Sequence, residues 1–441
     1  MTGRTSGAHG KSGTSGVNGT GGTGGASGTG KGPPGRLRRF RALLTRPRVA
    51  GPAWWSVLAR LPVYLMSLAM VLVVREQGGS FAHAGSTAAL YTLGMALGSP
   101  LVARRVDRGG RRAVLLTTGV VYPAALTLLV TATRPGGWAQ PVLAVTAGIA
   151  LPPANAVMRS LWARLPLTDE ERETAYLWEA LLTEFLVIGA PLILAGLMLA
   201  GPAGPAVVAV AAAGGAGALG LALTRLPPGV PETVPRDPEA PPSSPLGPLR
   251  APALLALTAV MAVCAVPIGL LTLAVPAFTD RHGATGSTGA VYACWGVGSA
   301  LGALWLGRPG SGAPVHRRFP WLVLAFALGT GLPLLAVSPL TLGLALAVGG
   351  IPIALVSAGE MTLVSQVADD RLLTEAFTWA SLATVVGDAL GQQAGGLLIE
   401  PRGPRAVFAL ALAVALAGAA LAFGCRPLLG RGVRKAVTDP G

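Results

Sequence analysis

The chain has 441 residues, of which 51% are hydrophobic and only 12% charged. A water-soluble domain carries about a quarter charged residues, so there is too little polar surface here for water alone, and hydrocarbon is the expected solvent for much of the chain. The formal net charge is +15, but the basic residues fall between apolar runs rather than in one patch, which argues against a nucleic-acid binder and for a membrane protein with basic cytoplasmic loops.

Residues 1–35 are almost all Gly, Ser and Thr and can bury no apolar area, so a disordered, basic cytoplasmic tail is expected over 1–50. It lacks the apolar centre of a cleavable signal peptide. From Arg36 to Arg48, Leu37, Phe40, Leu43 and Leu44 recur at helical spacing among arginines. That stretch reads either as an interfacial helix on an anionic leaflet or as a solvated tail that sets topology. Apolar runs of bilayer-spanning length follow at 53–74, 84–104, 113–133, 141–163, 175–199, 205–224, 252–276, 284–307, 320–337, 340–364, 375–398 and 406–424. Between the sixth and the seventh, 226–250 is rich in Pro and charge and reads as a cytoplasmic linker. The expected organisation is therefore 51–225, linker, 251–424 and a tail over 425–441.

Loop charge sets the orientation. With the N-terminus inside, the outer loops hold only Arg75, Arg134, Arg281, Arg402 and Arg405. The inner side takes Arg308, Arg317, Arg318, Arg371 and the basic tail, so both termini are expected in the cytoplasm of a bacterial-type cell (inner) membrane.

The two regions share residues at a constant lag. Gly98-Ser99 matches Gly298-Ser299, Pro152 matches Pro352, Ala175-Tyr176-x-Trp178 matches Ala376-Phe377-x-Trp379, and Thr183 matches Thr384. A common register along four helices implies duplicated six-helix halves, the plan by which many membrane carriers build a central site.

The loop after the second run carries Gly98, then Asp107-Arg108-x-Gly110-Arg111-Arg112. It resembles the loop between the second and third helices of the major facilitator superfamily. The resemblance covers about residues 50–425 and implies an all-α integral membrane fold, twelve transmembrane helices in two pseudo-symmetric six-helix halves. It also implies a cytoplasmic gate built from Gly98, Asp107, Arg108, Gly110 and Arg111, with Asp107 facing the positive end of the eleventh helix. A purely topogenic basic turn is the alternative. Gly387-x-x-x-Gly391-Gln392-x-x-Gly395-Gly396 resembles the antiporter motif of the same superfamily, with Gln392 where the motif has Pro. The fifth run carries a blurred copy at Gly189-Ala190-Pro191 and Ala195-Gly196, and Glu173 to Gly196 resembles actinobacterial drug- or sugar-efflux members.

A charge at membrane depth costs at least a few kcal/mol and needs a reason. Arg60 lies roughly 10 Å in and Glu184 roughly 14 Å in, counted at 1.5 Å per residue, so they are expected to pair. Arg159 and Glu179, each about one turn from the inner surface, form a second expected pair. Either pair would be a substrate or proton-coupling site or a fixed structural bridge. In the eleventh run Thr384, Asp388 and Gln392 share one helical stripe beside Gly387, Gly391 and Gly395. One stripe suits close helix packing and the other a water-filled cavity. Glu360, near the inner end of the tenth run, reads as structural.

There is no Walker loop for ATP, no His-Glu-x-x-His or Cys cluster for a metal and no arrangement of nucleophile and base, so no cofactor and no enzyme activity are expected. Cys264, Cys294 and Cys425 read as packing residues. His9, His83, His282 and His316 lie in tails or loops, so protons would be carried by carboxylates, Glu184 and Asp388 first. The expected function is secondary active transport: proton-coupled efflux of a small lipophilic or drug-like molecule by alternating access. The alternatives are a proton-independent or symport facilitator of sugars or amino acids, and a non-transporting membrane sensor with the same fold. The expected partners are that substrate, protons and lipid, without nucleic acid and without a required oligomer.

Overall fold

The computed structural model describes residues 44–165, 167–224, 248–306, 314–368 and 373–438. The tail to residue 43, most of the expected linker, Arg308 and Arg371 lie outside the described residues. Apart from short turns of 3-10 helix, all regular structure among the described residues is α-helical: α1 Pro47–Glu76, α2 Phe81–Gly109, α3 Arg111–Ala132, α4 Ala139–Ile149, α5 Ala154–Arg164, α6 Asp169–Ala200, α7 Ala203–Leu223, α8 Pro252–Arg281, α9 Thr288–Leu306, α10 Val315–Gly331, α11 Pro339–Gly350, α12 Ile353–Val367 and α13 Leu373–Thr438. Helices suit the composition because each satisfies its own backbone polar groups without water. Eight stretches are long and apolar enough to cross a membrane by length and composition. Large apolar side chains such as Leu97, Phe185, Leu199, Leu304 and Leu340 are exposed. The chain is a multi-pass membrane protein.

Prolines and one glycine decide where the elements differ from the expected runs. The run at 141–163 is two helices, α4 and α5, interrupted at Leu151-Pro152-Pro153, because proline donates no hydrogen bond and restricts the residue before it. The run at 340–364 breaks at Pro352, giving α11 and α12, so the lag of 200 residues between Pro152 and Pro352 is matched by two helix breaks. The last two expected runs are joined in α13. Gly403, at φ 79 and ψ 174 between Pro401 and Pro404, is non-helical and kinks the element there. Its 59-residue apolar stretch, Glu375–Val433, is roughly 90 Å of helix, against a hydrocarbon core of about 30 Å. Helix continues to Thr438, through most of the stretch expected as a tail.

Helices approach closely where side chains are absent. A methyl group added at Gly98 would come within 2.6 Å of the Ile149 backbone, so α2 lies on α4. The lag partner Gly298 would meet Ala347 O at 1.9 Å, so α9 lies on α11 in the same way. The α8–α13 contact is also backbone to backbone: methyls at Gly387 and Gly391 would meet Ala262 O at 2.0 Å and Val266 O at 2.1 Å. Small residues permit this approach, which lipid-facing helices exploit because water gives them no drive to associate.

Candidate functional site

The stripe on α13 becomes a chain of hydrogen bonds. Gln392 is fully buried, and its side-chain amide donates to Asp388 Oδ2 at 2.8 Å. Its carbonyl oxygen accepts from the Thr92 hydroxyl of α2 at 3.3 Å. Thr384, the third stripe residue, instead bonds the Ala380 carbonyl of its own helix at 3.1 Å. Among the described residues no cation pairs with Asp388. Tyr292 of α9 lies within its electrostatic reach, hydrogen-bonded at 3.3 Å to Thr272 of α8 and set edge-on to Trp295 at 5.6 Å. Thr92, Tyr292 and Thr272 are absent from the sequence-derived set. A signal for two of them exists: Thr92 and Tyr292 stand at the same lag of 200, six residues before Gly98 and Gly298.

A second cluster joins α1, α5 and α6. Arg60 is 1% exposed, and its Nη2 lies 2.6 Å from Glu179 Oε2. The other carboxylate oxygen, Oε1, accepts from Trp162 Nε1 at 2.8 Å. The expected partners were Glu184 for Arg60 and Arg159 for Glu179; Arg60 and Glu179 instead pair with each other. Depth along a helix says nothing about azimuth, and azimuth selects the partner here. The side chains of Arg159 and Glu184 lie outside the described residues. The pair sits beside an apolar cluster that includes Val49, Leu115, Met158, Trp162 and Leu221. Among the described residues, Arg60 Nε has no hydrogen-bond partner. The carboxylate is therefore neutralised by a cation and held by an indole as well, a geometry for rigidity rather than proton exchange.

Of the expected gate residues, Gly98 is the close-packed glycine against α4. Gly110 takes φ 80, and its N–H closes α2 onto the Val106 carbonyl at 3.1 Å. Arg111 is buried and donates to Leu221 O at 3.1 Å and Thr224 O at 2.7 Å. Both carbonyls lie at the C-terminal end of α7, where intrahelical donors run out and a guanidinium serves well; the Leu221 carbonyl also accepts from the Thr224 hydroxyl at 2.6 Å. The side chains of Asp107 and Arg108 lie outside the described residues.

At the end of the bundle that loop charge assigns to the outside, the two regions touch. The Arg75 guanidinium lies over the Phe81 ring at 4.0 Å, donates to Gly79 O at 2.9 Å and reaches Asp280 Oδ2 at 3.4 Å. The Phe81 N–H donates to Glu400 Oε1 at 2.9 Å. Further along, a methyl on Gly85 would meet Gln392 O at 2.6 Å and one on Gly396 would meet Phe81 O at 2.5 Å. α6 and α9 close a second contact, with Gly289 against Pro191 O and Ala195. A cavity of about 190 Å³ lined by Leu72, Arg75, Phe81, Met198, Pro276 and Asp280 lies at this end. It is smaller than the 300–1,000 Å³ of a typical drug-sized site.

Comparison with known proteins follows this geometry. The family model described as Major Facilitator Superfamily matches residues 55–341. Among solved structures, a mutant of the nucleoside transporter NupG superposes with a TM-score of 0.68 at 12% identity, covering 86% of this chain and 99% of that one. A mutant of the peptide transporter POT gives 0.68 at 14% identity, covering 90% and 99%. A bacterial homologue of the human lysosomal transporter Spinster, in an inward-facing and unoccupied conformation, gives 0.65 at 14% identity, covering 90% and 98%. No curated protein matches the sequence.

Proposed function

The chain belongs to the major facilitator superfamily, whose members are secondary transporters and not enzymes, and from that premise we propose that it exports a small lipophilic or drug-like molecule in exchange for protons, with Asp388 as the proton-carrying group. The observation that carries this reading is the pairing of Asp388. A carboxyl group at membrane depth that meets an amide and no cation among the described residues has no fixed charge to hold it ionised. Glu179, with a guanidinium and an indole on its two oxygens, is the structural member of the candidate pair. In this reading the chain has twelve spans in two six-helix halves, with both termini in the cytoplasm. The site lies between the halves near Asp388, Gln392, Thr92 and Tyr292. Contact between the regions at the outer end supports a state closed to the outside, and the loop carrying Asp107 and Arg108 acts as the gate at the opposite end. Glu184 and Arg159 belong to the same proposal as further coupling candidates.

The test is transport by purified protein in liposomes. A panel of lipophilic cationic dyes is presented outside, with an imposed pH gradient and a pH-sensitive dye trapped inside. The expected result is dye movement that follows the gradient and proton counter-flow that Asp388→Asn abolishes. Movement that ignores both the gradient and the substitution overturns the coupling and favours a facilitator.

A further inference from the structure

Where they touch, α2 and α13 run antiparallel. Phe81 meets Glu400, Gly85 meets Gly396, and Thr92 meets Gln392. Phe81 to Thr92 of α2, roughly 16 Å of helix, thus forms a seam joining residues 51–225 to residues 251–424. Its outer part is backbone against backbone. Its innermost contact is a side-chain hydrogen bond, and the acceptor of that bond is the amide that also holds Asp388.

We propose that Thr92 is a positioning residue which, through the fully buried amide of Gln392, ties the ionisation of Asp388 to closure of this seam. The inference rests on the reading of Asp388 as the proton carrier. The chemistry is directional. An ionised Asp388 only accepts, so Gln392 turns its NH₂ toward Asp388 and leaves its carbonyl oxygen to the Thr92 hydroxyl. A protonated Asp388 is itself a donor and competes for that carbonyl oxygen. Protonation therefore removes the charge that fixes and polarises the amide, and the bond that the Thr92 hydroxyl donates to its carbonyl oxygen, no longer strengthened by that charge, weakens. Among the described residues, three neighbouring elements bring groups toward Asp388. Tyr292 of α9 is the titratable one. α8 brings the backbone at Gly269, where an added methyl would come within 2.0 Å of Asp388 O, and α2 brings Thr92. Among the described residues, no charged side chain is paired with it.

The experiment measures the distance between spin labels across the outer end, at Trp138→Cys and Arg402→Cys, both exposed positions. The protein is the full chain in lipid nanodiscs, with Cys264, Cys294 and Cys425 replaced by Ser. Acidification is expected to raise the population with the longer distance. Thr92→Val should raise that population roughly fivefold at high pH, the effect of one lost hydrogen bond, and shrink its response to acid. Thr92→Ser should restore both. A structural role alone would alter the amount of folded protein and leave the pH response intact. If Asp388→Asn removes the pH response while Thr92→Val behaves as wild type, the inference about Thr92 is overturned and the role of Asp388 stands. If Asp388→Asn leaves the response intact, the proton-carrier reading itself fails. A wild-type distance indifferent to pH also overturns the inference; gradient-driven transport that Asp388→Asn still abolishes would then keep the carrier assignment alive.

Discussion

Two partly buried carboxylates in this molecule are held in opposite ways. Glu179 has its charge answered by Arg60 and its second oxygen taken by Trp162. Asp388 has an amide and, among the described residues, no cation. Both lie on helices rich in apolar residues, and hydropathy alone ranks them alike. In the function proposed above, what surrounds a membrane carboxylate, rather than its depth, separates a brace from a group free to change charge. Removing a brace should cost stability, whereas removing a mobile charge should cost coupling.

The largest expected effect follows from the brace. Glu179→Ala strands the Arg60 guanidinium in an apolar cluster, and breaking a buried pair this way costs about 3–5 kcal/mol. The folded fraction surviving size-exclusion chromatography after heating should fall sharply. The double change Arg60→Leu with Glu179→Leu should recover most of it. Recovery failing while the single change is mild would erase the distinction drawn between the two carboxylates. Next comes Trp162→Phe, which deletes a hydrogen bond to a charged group and should cost about 1.5–3 kcal/mol by the same assay. Asp388→Asn supplies the counterpart: thermal stability within about 0.5 kcal/mol of wild type, as for a change that strands no charge, together with loss of gradient-driven transport. A large stability loss at Asp388 would make it a second brace. The smallest effect is at the outer end. Arg75 and Asp280 are 34% and 46% exposed, so Asp280→Asn should cost at most about 1 kcal/mol, and less at high salt.

The sequence makes the helical runs legible because hydrocarbon demands about 20 apolar residues per crossing whatever faces they present. The two proline breaks were not read from it: Pro152 and Pro352 stood out only as a pair at one lag, inside runs expected to be continuous. The stripe of Asp388 and Gln392 was readable from spacing alone, and the two do bond to each other. Partnerships across helices were not. Arg60 and Glu179 are more than a hundred residues apart, and nothing in either run fixes the rotation of its helix. Trp162 was invisible for a different reason: an indole in an apolar run reads as bulk, and its one polar atom matters only when an acceptor arrives. Arg111 shows the limit of motif reading. Its motif suggested a gate; two of its contacts are with the carbonyls that end α7, a demand that every helix terminus makes and no local pattern announces, and they leave the gate expectation untested.

The glycine seam between α2 and α13 bears on the energetics of turnover. A joint made mostly of main chain forfeits little side-chain dispersion when it parts, since Gly85 and Gly396 have no side chains to strip of neighbours. Two arrangements of the bundle can then lie within a few kcal/mol of one another, the narrow gap that lets bound cargo choose between them. Leucines interlocked at the same positions would have deepened one well and slowed the cycle.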